Sequence, residues 1–136
     1  MKDLEAGGRK DGFVISPTPY LYHAVVKPAD VYDGDSVTAH IDLGFGVWLR
    51  GQKVRLWGIN TAELRGSTRR KGRAARDYLR DLLPADGHIF IRSHKDRKDK
   101  YGRWLAELLI IEPGGKVTNA NNNLVATGHA VEYMRR

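Results

Sequence analysis

The chain contains no cysteine, so disulfides and thiolate metal sites are excluded and the redox compartment is left open. No apolar run approaches the ~18 residues that a membrane-spanning helix requires. Met1 to Gly12 carries charges and glycines but no apolar h-region, so the chain as given holds no secretory signal. A mature form trimmed of its signal would look the same, and location is left open. The five histidines are scattered without metal-ligand spacing and read as surface or strand residues. No internal repeat or interdomain linker is visible.

What is present suits one compact domain. The length of 136 residues, with 41% hydrophobic and 29% charged residues, fits a single globular core rather than a disordered chain. The formal net charge of +7 points toward polyanions, nucleic acid before an anionic membrane. A merely soluble basic protein would carry the same charge.

Residues 1–18 read as a flexible arm, polar and closed by Pro17 and Pro19, and residues 19–136 as the folded domain. Tyr20 to Val26 is a strand of aromatic and β-branched residues that Pro28 ends. From Ser36 to Leu43, Val37, Ala39, Ile41 and Leu43 alternate with polar residues, the pattern of a strand with one buried face. Asp33 and Gly34 precede it at a tight hairpin. Gly44 to Gly46 supply a turn into Val47–Ile59, with a bulge marked at Gly51. The period then changes. Ala74, Ala75, Tyr78, Leu79, Leu82 and Leu83 recur at helical spacing between Ser67 and Leu83, among arginines and a lysine. A short strand at Ile89 and Ile91, a charged loop from Ser93 to Gly102 and a strand from Trp104 to Ile111 follow. Asn119–Gly128 is a modest helix, weakened by its asparagines and ended by Gly128. Short strands with a helix inserted after the third predict a mainly β (α+β) fold, a five-stranded OB-fold barrel with two or three helices packed on it.

Hydrolysing a phosphodiester needs positive charge on the phosphoryl oxygens, a base for water and help for the leaving oxygen. Asp35, Asn60 and the Thr61 carbonyl offer oxygen donors of the kind a hard cation such as calcium prefers. Glu63 follows Asn60 closely enough to act on a water at the same ion. Arg55 and Arg103 carry planar guanidinium groups, each able to hold two phosphate oxygens. Each has an ordinary alternative. Asp-Gly-Asp is turn chemistry by itself, Arg55 could sit on a strand surface, and Glu63 could cap or pair with a nearby arginine.

Three segments weigh against the ordinary readings together: Asp33-Gly34-Asp35-Ser36-Val37, Val54 through Glu63, and Asp99-Lys100-Tyr101-Gly102-Arg103-Trp104-Leu105. In this order, with a weaker match at Leu124-Val125, Gly128 and Ala130, the chain resembles the staphylococcal nuclease (thermonuclease) family over about residues 20 to 133. The resemblance implies an OB-fold barrel with added helices and calcium-dependent cleavage of DNA or RNA, leaving 3′-phosphate products. It implies Asp35, Asn60 and Thr61 as metal ligands, Glu63 as general base or water-positioning group, and Arg55 and Arg103 as the phosphate-binding pair. Lys100, Tyr101 and Tyr133 are the expected substrate contacts. Three departures stand out. Asn60 replaces an aspartate and removes a full negative charge from the shell. Ala62 replaces the commoner proline, which loosens the turn aiming Glu63. After the second helix the chain has no counterpart of the family's third.

The expected activity is therefore a sequence-tolerant nuclease, monomeric, acting on DNA, RNA or both, with no membrane partner. The rivals are a catalytically silent nucleic-acid-binding barrel and a protein-interaction module on the same fold. The arginine-rich helix from Thr68 to Arg80 would add non-specific phosphate attraction.

Overall fold

The computed structural model describes residues 21–135, apart from the side chains of residues 95–97. The expected arm at 1–18 lies outside the described residues. The strands are β1 (Leu21–Val25), β2 (Val31–Asp33), β3 (Ser36–Gly44), β4 (Val47–Leu56), β5 (Ile59–Thr61), β6 (His88–Lys98), β7 (Trp104–Ile111), β8 (Val117–Asn119) and β9 (Ala130–Glu132). Two helices, α1 (Arg69–Leu82) and α2 (Ala120–Ala126), accompany them.

Five of the strands close on themselves. β1 pairs with β3 and β6, β3 with β4, β4 with β7, and β7 with β6. The seam between β4 and β7 is parallel, with Val54 opposite Trp104 and Arg55 opposite Leu105; the other four pairings are antiparallel. This is the OB-fold barrel with two helices. Closure leaves the five strands without a free edge.

The core follows the alternation. Val37, Ala39 and Ile41 point inward from β3, against Val54, Leu56, Ile89, Ile91, Ala106, Leu108 and Ile110 from the neighbouring strands. Leu43, expected on the same face, is 41% exposed. The β3–β4 hairpin runs past the end of the barrel there, so nothing remains inside to cover it. Its tip turns at Gly44, Phe45 and Gly46, all with positive φ, and the pairing slips between Ala39 and Ile41 opposite Gly51, where a bulge was expected.

Two expectations change. The charged stretch from Ser93 is not a loop until Asp99, because β6 continues to Lys98 and pairs it with Trp104. The second helix is shorter than the Asn119–Gly128 expected and its asparagines are employed rather than weakening. Asn119 caps it by accepting from the Asn122 amide at 3.1 Å. Asn121 is fully buried, donating to the Trp57 and Ala106 carbonyls at 2.9 and 3.1 Å and accepting from the Leu108 amide at 3.1 Å. Those bonds tie α2 to the β4–β7 end of the barrel, because a buried amide left unpaired would be costly.

Helix α1 packs Gly72, Ala75 and Leu79 inward. Arg80, read as part of a basic face, instead donates to the Val31 carbonyl at 2.9 Å and anchors α1 to β2.

Candidate active site

A cleft of about 670 Å³ opens where the β2–β3 hairpin, the end of β4, β5 and the β6–β7 turn meet. All nine expected site residues line it: Asp35, Arg55, Asn60, Thr61, Glu63, Lys100, Tyr101, Arg103 and Tyr133. Asp33, Trp57 and Asp99 join them.

The barrel explains the convergence. The Asp35 carbonyl accepts from the Leu56 amide at 2.9 Å, so the hairpin and the end of β4 are stitched together. The Asp35 carboxylate then accepts from the Thr61 amide at 3.0 Å and stands 3.6 Å from Arg55. Arg55 is held firmly by the chain that follows it. Its Nη1 donates to the carbonyls of Leu56 and Ile59 at 3.0 and 2.9 Å, and its Nη2 to Asn60 Oδ1 at 3.1 Å. A guanidinium fixed in this way loses little further rotamer freedom on binding a phosphate.

Arg103 is fixed differently. Asp99 accepts from Arg103 Nε at 2.9 Å and lies 2.8 Å from its Nη2, while Nη1 donates to Ser36 Oγ at 3.2 Å. The same carboxylate accepts from the amides of Tyr101 and Arg103, each at 2.9 Å. Burial works against ionisation of Asp99, yet these bonds and the Arg103 charge outweigh it and hold the acid below its usual range. One aspartate therefore shapes the turn and aims the arginine.

Each guanidinium also lies over an exposed tyrosine. Arg55 sits 5.7 Å from the ring centre of Tyr133, and Arg103 is 5.3 Å from that of Tyr101, with Lys100 at 5.3 Å from the same ring. Tyr133 is placed by β9, which pairs with β5, and by its amide donating to the Gly58 carbonyl at 2.8 Å. Trp57, on the cleft wall, is stacked on His94 at 3.8 Å and covered by Arg135 at 5.4 Å.

Glu63 reaches the cleft from the segment before α1. Its carbonyl accepts from Thr68 Oγ1 at 3.1 Å. Gly72 presses on the same backbone, since a Cβ there would stand 2.4 Å from the Glu63 oxygen. The turn lacks proline at Ala62, and the start of α1 supplies the restraint instead.

Asp33 is the residue that sequence reasoning left as turn chemistry. Its carboxylate accepts from the Asp35 amide at 3.1 Å. Burial, then hydrogen bonding and charge from Asp35, then the charge of Glu63, push its pKa up to about 7, against the lowering effect of that amide. The sequence showed it only as the first acid of Asp-Gly-Asp, a pattern that turn chemistry accounts for equally. Gly34 between the two acids lies so close to Ala75 and Thr61 that a Cβ would stand 2.7 and 2.8 Å from their side chains.

Among the described residues, no three acidic or imidazole side chains stand ready as a cation cage. The donors along this wall are carboxylates, an amide and a backbone carbonyl, which is the chemistry of a hard cation. Crowding of Asp33, Asp35 and Glu63 is what such a cation would relieve. Asn60 Oδ1 is meanwhile engaged by Arg55.

Two braced arginines and a row of acids beside exposed tyrosines thus share one cleft of a closed OB-fold barrel. The family model described as staphylococcal nuclease homologue matches residues 53–136, more than half of the chain, and the chain belongs to that family. The match begins within β4 and includes Arg55, Asn60, Thr61, Glu63 and Arg103, while Asp33 and Asp35 precede it. No curated protein matches the chain significantly.

Proposed function

We propose that the protein is a calcium-dependent nuclease that hydrolyses phosphodiester bonds of DNA or RNA with little sequence preference. One observation carries this reading: Arg55, Glu63 and Arg103 reach a single cleft from three separate segments of the chain. A fold-only role would not require a base and two guanidinium groups to converge.

Arg55 and Arg103 would hold the phosphate oxygens and offset the charge that builds on them as water attacks. Glu63 orients that water and accepts its proton as the new P–O bond forms. The bond from phosphorus to the 5′ oxygen breaks, the departing oxygen takes a proton from solvent, and a 3′-phosphate remains. Tyr101 and Tyr133 stack on bases, which is tolerant of sequence because every base has a π-face. Lys100 adds charge at the rim. Asp35, Asn60 and the Thr61 carbonyl would hold the calcium ion, with Asp33 close by. Bound there, the cation would supply Lewis-acid stabilisation of the phosphoryl group.

The alternative is a silent nucleic-acid-binding barrel, for which the engagement of Asn60 by Arg55 is the specific observation. Incubation with single-stranded DNA, duplex DNA and RNA, in calcium, magnesium or chelator, separates the two. Ion-dependent cleavage that disappears in Glu63→Gln is the expected result. Tight, salt-sensitive binding with no cleavage under any ion would establish the silent binder.

A further inference from the structure

A second cavity of about 460 Å³ adjoins the first, and the two share Asn60, Thr61 and Ala62 as a common wall. Its far side is built by Lys71 and Ala74 of α1 and by Gly128, His129, Ala130 and Val131. The volume lies within the ~300–1,000 Å³ range of small-ligand pockets.

The two cavities differ in their acids. Asp33, Asp35, Glu63 and Asp99 all line the first, whereas no acidic side chain lines the second. There the ionisable groups are Lys71 and His129. Lys71, Ala74 and Tyr78 follow one another at i, i+3 and i+7, one stripe of α1. His129 stacks on the Tyr78 ring at 4.5 Å, and Gly128, at φ 83°, makes the turn that presents it. Ala74 adds a small apolar floor to the cavity. An amine, an imidazole that can donate a hydrogen bond and an apolar floor suit a phosphate joined to a sugar.

We propose that this second cavity is a subsite for the nucleotide next to the scissile phosphate, with Lys71 and His129 contacting its phosphodiester. The strand crosses the wall at Asn60–Ala62 and continues along α1. The inference rests on the proposed function only in taking a polynucleotide as the ligand; it does not require hydrolysis.

Lengths of strand make the test. Binding of labelled single-stranded oligonucleotides is measured by fluorescence anisotropy in the full chain carrying Glu63→Gln. A dinucleoside monophosphate, which has only the scissile phosphate and lacks the neighbouring phosphodiester, is compared with a hexanucleotide. Lys71→Gln is expected to weaken the hexanucleotide by about tenfold and to flatten its salt dependence by about 0.7 in log–log slope, one phosphate contact on a single strand. The dinucleotide should bind unchanged. His129→Gln should weaken the hexanucleotide alone as well. Arg70→Gln and Arg73→Gln remove the same charge from α1 outside both cavities and should cost the hexanucleotide much less. Equal losses at both lengths, or a Lys71→Gln effect no larger than that of Arg70→Gln, would overturn the subsite. Cleavage by the unsubstituted protein with such a result leaves the hydrolase reading intact. The expected length dependence without any cleavage removes the hydrolase and keeps the subsite.

Discussion

Gly72 abuts Glu63: a Cβ built on the glycine would stand 2.4 Å from the glutamate carbonyl oxygen and 2.7 Å from its carbonyl carbon. No flexible side-chain end is there to yield, only backbone that is also held by Thr68. The helix is therefore the template against which the segment carrying Glu63 is pressed.

Gly72→Ala tests this opposition of terms. Alanine favours the helix over glycine by ~1 kcal/mol, but displacing packed backbone costs ~1–3 kcal/mol. Net destabilisation is expected, read as a lower urea midpoint, with a larger fall in kcat than in substrate affinity. A gain in stability with unchanged kcat would show that the contact relaxes freely.

Asp99→Asn should separate aim from fold. Asp99 holds Arg103 through Nε and Nη2, and a misplacement near 1 Å in a catalytic group can cost ~10²-fold. The expected result is a fall of about 10–100-fold in kcat/KM, with a small change in melting temperature. Activity preserved in the variant would mean that the Ser36 contact suffices to aim Arg103.

Asn60→Asp should tighten calcium binding by restoring a carboxylate to the wall that holds Asp35 and Thr61, as measured by isothermal titration calorimetry. Unchanged or weaker binding removes Asn60 from the metal shell and leaves it as the partner of Arg55.

Glu107 contributes to stability in a way that acid should remove. It is buried, bonded to Arg92 at 3.0 and 3.3 Å, to His94 at 2.6 Å and to Asn119 at 2.6 Å. Burial opposes its ionisation, but the bonds and the Arg92 charge prevail and lower its pKa from 4.5. A depressed carboxylate stabilises the fold above its unfolded pKa, and that contribution is lost as pH falls from about 4.5 through the lower folded value. Urea midpoints of the wild type and Glu107→Gln should differ at pH 7 by about 1–3 kcal/mol in unfolding free energy and converge once the pH falls below the lowered folded value. A gap that persists in acid would refute the assignment.

The parts of the fold legible in the sequence were those governed by local period. Val37, Ala39 and Ile41 announced β3, and the switch to helical spacing announced α1. The end of β6 was hidden because Lys95, Asp96 and Arg97 resemble a solvated loop, and only pairing across to Trp104 makes a strand of Ser93–Lys98. Among site residues, Arg55, Glu63 and Arg103 were legible through motifs whose order matches the family. Asp33 was not, since its significance depends on burial beside Asp35 and Glu63, which no spacing records. Asn121 was read as a weakness in a helix because its partners, Trp57, Ala106 and Leu108, are distant in the chain.

The parallel seam of the barrel has a further consequence. Arg55 on β4 lies beside Leu105 on β7, and Arg103 stands in the turn one residue ahead of Trp104, where β7 begins. The start of β7 cannot slide along β4 while the ring is intact, because each strand is also paired with another neighbour. The cleft should thus come apart abruptly, when the whole ring opens, rather than gradually as its loops loosen on warming.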